Sequence, residues 1–483
     1  MTAFDPTRPH PILLAGRWVE SPHPLVVEDP YRPGEPAGHT WLATAEQLEE
    51  ATRAAVDAAP VMRRLPVYER ARILRAVSAG VAARREEIAR VISREAGKPL
   101  RDALGEVDRA TLTFRLGAEE AERIEGEVLP LDLNVASTGR IGITRRFPVG
   151  PVAAISPFNF PLNLAAHKIA PAIAAGCPVV LKPPTKDPLT MLIVGEILVD
   201  AGLPAGALSI LPMGRELGDR LVTDERFRLL TFTGSPAVGW AMKERAGKKK
   251  IVLELGGNAG AIVDRTADLD WAVKRTLVGA FSFSGQVCIS VQRLVIHEEI
   301  WDAFVERFVA GAKALRVGDP LDPETVVGPM VDEGQARRIA TWVDEAVAEG
   351  AQVLTGGQRQ GTIYPPTVLA NVDRASRVCA QEAFAPVVLL TPFRDLAEAF
   401  AIVNDSSFGL QAGLFTNDLA GAFAAFEELE VGGVILNDVP TYRIDNMPYG
   451  GVKDSGLGRE GVRYAIEDMT EIRILVVAKP NVP

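Results

Sequence analysis

Between residues 152 and 253 short apolar runs alternate with stretches of helical spacing, and this rhythm constrains the fold more than anything else in the chain. Residues 152–156, 178–182, 208–211, 229–232 and 251–253 have strand length and little polar interruption. Helical segments at 162–174 and 189–200, and a further one before residue 229, separate them. Such strands need cover on both faces, which crossover helices supply, so the pattern predicts an α/β fold with a parallel, doubly wound, Rossmann-like sheet. Sheets of this kind bind ligands beyond the carboxyl ends of their strands. The residues that follow each strand are therefore the first place to look for chemistry.

The remaining organisation is plainer. Residues 44–91 read as helices, with Thr44 and Gln47 forming a capping box and Leu48, Ala51, Ala55 and Ala58, then Ile73, Val77 and Val81, at helical spacing. Residues 127–146 lose that pattern and suggest a hairpin with arms at 128–131 and 140–143. A region of mixed character spans 258–449, and residues 472–477 read as an exposed edge strand. A chain of 483 residues has room for two or three domains. Its formal net charge of −10 argues against a nucleic-acid or anionic-membrane surface.

Three cysteines without paired spacing and five histidines without a His/Cys cluster predict neither a disulfide framework nor a metal site. The first residues show no basic-then-apolar signal pattern, and the apolar stretch 164–181 is broken by His167, Lys168 and Pro171. The expectation is a cytoplasmic enzyme-sized protein.

Several segments carry chemistry-bearing residues. Gly456-Leu457-Gly458-Arg459-Glu460-Gly461 matches a dinucleotide fingerprint in letters only, because it follows a loop-like stretch and the chain soon ends. Phe232-Thr233-Gly234-Ser235-Pro236-Ala237-Val238-Gly239 is a better phosphate site: it follows a strand and opens a helix, with Ser235 as cap and proline at the first turn. Lys182, at a strand end, is either a ligand-binding cation or a solvated loop charge. Asn159 either caps the helix after it or donates its amide to a ligand. Cys288 is a small buried hydrophobe or a nucleophile, and Cys177 and Cys379 read as the former. Glu254, before Gly256-Gly257, is a strand-end ion-pair partner or a general base.

Taken in order, Phe158-Asn159-Phe160-Pro161, Gly234-Ser235 through Gly239, Glu254-Leu255-Gly256-Gly257, Gly285-Gln286-Val287-Cys288 and Glu382-Ala383-Phe384-Ala385-Pro386 resemble the aldehyde dehydrogenase superfamily over nearly the whole chain. The resemblance implies Cys288 as nucleophile, Glu254 as the base that hydrolyses a thioester, and Asn159 as oxyanion donor. It implies NAD or NADP held by Ser156, Pro157, Phe158, Lys182, Thr185, Gly234, Ser235, Gly239, Leu255, Glu382 and Phe384. Thr185 stands where a glutamate is common, so nothing there repels a 2′-phosphate and both cofactors stay open. Ala385 replaces a common glycine.

By the same resemblance the cofactor domain comprises 1–127 and 148–255, the catalytic domain 256–450, and a bridging, oligomerising element 128–147 with 463–483. A homodimer or homotetramer follows from that element. The Asn163 variant of the oxyanion segment and the 440–446 loop look like the branch that includes lactaldehyde and phosphonoacetaldehyde dehydrogenases. That branch suggests a small hydroxylated or anionic aldehyde, with Arg115, Phe160 and Arg443 as its contacts. The rival readings are a CoA-acylating member of the same fold and a non-catalytic binding protein on the scaffold.

Overall fold

The computed structural model describes residues 4–478. The alternating region forms one large sheet. Its strands run, side by side, as Arg17–Val19, Ile12–Leu14, Leu208–Ile210, Val179–Lys182, Val152–Ile155, Leu229–Thr233, Lys250–Glu254 and Gly456–Leu457. The five strands from Leu208–Ile210 to Lys250–Glu254 are mutually parallel. Most of their side chains are buried, as continuous apolar runs require, and each such Val, Leu or Ile contributes roughly 1.5–3 kcal/mol.

The order of the strands places the site. From Val152–Ile155 the chain winds outward through Val179–Lys182 to Leu208–Ile210, then crosses back to add Leu229–Thr233 on the other side. The direction of winding thus reverses between Val152–Ile155 and Leu229–Thr233, and the loops leaving their carboxyl ends diverge to open a crevice. Those loops carry Ser156–Asn159 and Gly234-Ser235.

After Glu254 the chain turns through Gly256-Gly257 directly into Ala259–Val263, a strand of a second, seven-stranded sheet. This sheet is parallel apart from the edge strand Gln352–Thr355. A third sheet of three strands pairs Thr470–Ala478 with Arg140–Pro148 over nine residues, and Arg140–Pro148 with Val128–Pro130. Thr470–Ala478 lies at its edge with Ile472, Ile474 and Leu475 exposed. Of the element expected at 463–483, residues 479–483 lie outside the described residues, as do residues 1–3 of the segment beginning the chain.

Several sequence expectations change. The first 43 residues are not merely a prelude to helices: His23–Glu28 and Pro36–Leu42 form a hairpin, and Ile12–Leu14 joins the large sheet antiparallel to Leu208–Ile210. The stretch before residue 456 is not all loop, because Val452–Lys453 pairs antiparallel with Phe408–Gly409, and Gly456–Leu457 then pairs antiparallel with Leu253 and Glu254. Gly456 has φ +149, and a Cβ there would lie 2.2 Å from the Leu253 carbonyl oxygen, so only glycine fits this pairing. Ser235 occupies the cap position of helix Pro236–Arg245, yet its side chain makes no capping bond. Among the described residues no helix is long and apolar enough to cross a membrane.

Candidate active site

A cleft of about 650 Å³ opens at the crevice between the two large sheets, and Asn159, Glu254, Cys288 and Glu382 all line it. Cys288 follows the helical turn Ser282–Gly285, whose Phe283 and Ser284 hold the left-handed φ values 46° and 55°. Such values are costly for residues with a Cβ and persist only where surroundings impose them. Here the Phe283 N–H donates to Asp102 at 3.0 Å, Ser284 Oγ to the Gly328 carbonyl at 2.8 Å, and Gln286 both accepts from the Val331 N–H and donates to the Pro329 carbonyl. Cys288 Sγ lies 3.0 Å from the Tyr449 hydroxyl. Burial pushes its thiol up to about 12, and the carboxyls of Glu382 and Glu254 add to that, while Tyr449 and Arg443 pull the other way.

Asn159 sits in the loop after Val152–Ile155. Glu106, on helix Leu100–Ala121, holds the far end of that loop by accepting the N–H groups of Leu162 and Asn163 at 2.9 and 3.0 Å. Asn159 is 3% exposed and does not cap the following helix, whose cap position is Leu162. Its Nδ2 donates to the Gln286 carbonyl at 3.0 Å, tying it to the Cys288 loop. An amide nitrogen has two hydrogens, so one remains for an oxygen in the cleft.

Glu254 ends the strand Lys250–Glu254 and is buried, and neither carboxyl oxygen has a hydrogen-bond partner among the described residues. Burial, then the negative charge of Glu460, raises it well above the ordinary carboxylate range; Arg443, Lys168 and Arg459 oppose this. Behind it lies a buried charge network. Lys168 Nζ pairs with Glu460 at 3.2 Å and donates to Thr233 at 2.7 Å, and Arg443 pairs with the other Glu460 oxygen at 2.9 Å. Burial works against ionisation of Glu460, but Lys168 and Arg443 outweigh it and hold its carboxyl down to about 2. Asp445 accepts from His167, Arg109 and Asn163 at 2.7–3.1 Å.

The other half of the cleft suits a dinucleotide. Lys182, Thr185, Gly234, Ser235 and Leu255 line it at the strand ends, and helix Pro236–Arg245 points its positive end there. Burial, then Arg215, pushes Lys182 down to about 8. Glu382 accepts the Gly257 N–H at 2.9 Å with one oxygen, and the other would collide with a Cβ on Gly256 at 2.5 Å. Phe158 and Phe384 face each other edge-on with centroids 5.8 Å apart. A carboxylate for ribose hydroxyls, a helix end for phosphates and an aromatic border for a flat ring are the donor set a nicotinamide dinucleotide needs.

Comparison with known proteins bears on the family and the fold. Residues 18–475 match the aldehyde dehydrogenase family. The chain belongs to the aldehyde dehydrogenase family. It is 43% identical over 478 residues to a 3-sulfolactaldehyde dehydrogenase from Priestia aryabhattai, covering 99% of this chain and 100% of that one. Its fold matches aldehyde dehydrogenase 21 from Physcomitrella patens, solved with the reaction product succinate, at TM-score 0.97, with 49% identity over 99% of this chain and 100% of that one. A glyceraldehyde-3-phosphate dehydrogenase from Methanocaldococcus jannaschii, solved with NADP, matches at TM-score 0.89 and 41% identity over 94% and 99% of the two chains. This aldehyde dehydrogenase is NAD(P)-dependent and non-acylating, which sets aside the CoA-acylating and non-catalytic readings.

Within the dehydrogenase not every expected site residue reaches the cleft. Arg115 does not: its side chain is 62% exposed and pairs with Glu119 at 3.6 Å on the solvent face of helix Leu100–Ala121. Phe160 is not among the lining residues either; its ring packs on Phe283, with the Lys98 ammonium 3.6 Å from its centroid. Gly239 lies in the first turns of helix Pro236–Arg245, where a Cβ would sit 2.4 Å from Leu255 Cδ2, so it permits packing rather than touching a ligand. The Arg443 side chain is only 5% exposed and stacks 3.7 Å from the Tyr449 ring centroid, with Tyr449 between it and Cys288. Cys177 is buried as expected, whereas Cys379 is half-buried.

Sequence reading missed Tyr449, Lys168, Glu460, Asp445 and Arg109. One signal was available. Lys168 and His167 sit within Asn163–Ala175, a helix buried on every side, and polar groups so placed require buried partners.

Proposed function

We propose that this aldehyde dehydrogenase oxidises a small hydroxylated or anionic aldehyde to the carboxylic acid through a thioester on Cys288. The observation that carries the reading is the meeting of Cys288, Asn159, Glu254 and Glu382 in one cleft from four separate segments. Cys288 Sγ attacks the carbonyl carbon, and Asn159 Nδ2 with the Cys288 N–H takes the charge that gathers on oxygen. When bound, the nicotinamide supplies the acceptor for the hydride that leaves as the carbonyl re-forms. Glu254 in its ionised form then takes a proton from water, the water attacks the thioester, and Sγ departs from the acid. Glu254 has no competing hydrogen-bond partner among the described residues, so its lone pairs are available for that water.

The anionic-substrate reading is supported by Arg443, whose guanidinium stands behind Tyr449 beside the nucleophile. The relatives point the same way, since a sulfonated aldehyde, succinate and a phosphorylated aldehyde appear in their names. Thr185, with Lys182 and Arg215 near it in the cleft, leaves the adenosine end without a carboxylate and open to NADP as well as NAD. The third sheet, with 128–147 and the C-terminal strand, is the element through which the chain forms a homodimer or homotetramer; its exposed Ile472, Ile474 and Leu475 support this. Three free cysteines, one of them the nucleophile, suit the reducing cytoplasm. An aldehyde panel with NAD and with NADP tests the substrate assignment: anionic or hydroxylated aldehydes should exceed neutral aliphatic ones of equal length in kcat/KM, and the reverse order refutes it.

A further inference from the structure

Tyr449 is placed where the reaction begins, and no step described so far uses it. Its hydroxyl is 3.0 Å from Cys288 Sγ. The ring is buried with Ile289 and Leu410, and Val287 and Cys288 pack against that cluster. Its backbone is fixed by reciprocal hydrogen bonds with Glu460, N–H to carbonyl at 3.0 and 2.6 Å. Arg443 covers the ring face at 3.7 Å and keeps Glu460 as its ion-pair partner.

The nucleophile has a difficulty that this arrangement answers. Cys288 lies in an apolar setting with two carboxyls, Glu254 and Glu382, acting on it; both the setting and the negative charge disfavour a thiolate. The charged groups around the pair are those two carboxyls, Arg443 from the 440–446 loop, Lys168 from helix Asn163–Ala175, and Glu460 with Arg459 from the segment after Gly456–Leu457. Of these only Arg443 adjoins both Tyr449 and Cys288 with a favourable sign. No charged residue donates a hydrogen bond to Sγ; the phenol is the one described side chain within reach.

We propose that Tyr449 is a further catalytic residue, its hydroxyl donating a hydrogen bond to the Cys288 thiolate while Arg443, stacked on the ring, makes the phenol a stronger donor. In the thiol form the S–H can face the phenol oxygen; when that proton leaves for water in the cleft, the phenol hydrogen turns to sulfur. Tyr449 remains protonated throughout, since burial, then the neighbouring Cys288, holds its phenol well above the ordinary value. A charged acceptor gains more from a hydrogen bond than a neutral one, so the contact selects the thiolate. The inference rests on the reading of Cys288 as nucleophile.

The test is the pH dependence of alkylation by iodoacetamide, in which the C–S bond forms and iodide leaves, with the label at Cys288 read by peptide mass spectrometry. Tyr449→Phe keeps the ring and its packing and removes one oxygen. The midpoint of alkylation should rise by about one pH unit or more, and the rate near neutrality should fall about tenfold, the range expected for a hydrogen bond to a charged group. kcat should fall in parallel with KM little changed, and the melting temperature should stay near wild type. A Tyr449→Phe enzyme whose midpoint and rate stay within about twofold of wild type overturns the proposal, since packing alone would leave the thiolate unaided. Cys288→Ser is run beside it. If that variant keeps aldehyde turnover, the nucleophile reading itself falls; if it is inactive while Tyr449→Phe alkylates normally, only the role of Tyr449 falls.

Discussion

Replacing Asn159 by alanine removes two interactions that can be separated. One is the hydrogen bond from Nδ2 to the Gln286 carbonyl at 3.0 Å, which ties the loop after Val152–Ile155 to the Cys288 loop. Its loss leaves a carbonyl without its donor at a cost of about 1–3 kcal/mol, seen as a melting temperature lower by a few degrees. The other is the remaining N–H, which the proposed oxyanion role calls on only when negative charge gathers on the aldehyde oxygen. At 3% exposure Asn159 is shielded from water, so this donor belongs in the usual oxyanion-hole range of about 2.7–4 kcal/mol, or a fall in kcat of roughly 10²–10³. Aspartate at the same position is nearly isosteric but accepts only. An ionised carboxylate about 3 Å from the developing oxyanion adds about 5 kcal/mol of repulsion at an effective dielectric constant near 20. Protonated, the same aspartate can donate again. Pre-steady-state formation of reduced nicotinamide is the assay, because it reports acylation without the later hydrolysis. The burst rate of Asn159→Asp relative to Asn159→Ala should decline as pH rises. A fall in the alanine variant below about threefold, less than 1 kcal/mol of transition-state stabilisation, refutes the oxyanion role. A pH-independent ratio between the two variants refutes the electrostatic account.

Three further outcomes follow from the same geometry. Glu254→Gln should give a burst of one reduced nicotinamide per active site and then slow turnover; wild-type steady-state turnover would contradict the base assignment. Because Glu254 is raised by burial and by Glu460, and the proposed base role needs its ionised form, hydrolysis should climb with pH through its elevated pKa. Glu460→Gln removes one of those raising influences and leaves Lys168 and Arg443 in place, so the acidic limb of kcat should move to lower pH; a limb that stays or moves up is the contrary result. Thr185→Glu should lower the ratio of kcat/KM for NADP to that for NAD, by setting a carboxylate against a 2′-phosphate, and an unchanged ratio would remove Thr185 from cofactor selection.

What could be read from sequence divides along physical lines. The parallel strands between 152 and 254 were legible because strands covered on both faces are apolar throughout, and their boundaries fell within a residue or two of the observed ones. The N-terminal strands were not: Ile12–Leu14 and Arg17–Val19 have three residues each, and their place in the sheet depends on Leu208–Ile210, nearly two hundred residues away. For the site, Cys288, Glu254 and Asn159 stood out through motif resemblance, not through any local physical property. Arg115 shows the opposite case. The resemblance that named Arg115 carries nothing about the rotation of helix Leu100–Ala121 about its own axis. Arg109 and Arg115 are six residues, hence about 240°, apart on it, so only one can reach the interior. Contact with Asp445 at 2.7 Å selects Arg109.

The network around Asp445 and Glu460 also explains why the cleft tolerates negative charge on either side of Cys288. Lys168, Arg443 and Arg109 are three cations held against two carboxylates, and burial, then Arg443, disfavours the charged form of His167. With Glu254 protonated, the group carries one positive charge in excess. That excess favours a thiolate at Cys288, an oxyanion at Asn159 or an acidic group on the substrate, and thioester hydrolysis calls on the first two again, when water adds and Sγ leaves. Ionising Glu254 for hydrolysis brings the group to neutrality, so the cations that favour the thiolate also favour the charged form of the base. A substitution that neutralises one cation should therefore slow acylation and also push Glu254 further up. Lys168→Met is the clearest instance, because Lys168 sits on Glu460 and not on the substrate path. Its burst rate should fall, and the acidic limb of its thioester hydrolysis should move to higher pH; a limb that stays in place would mean that Lys168 serves only to hold Glu460 in place.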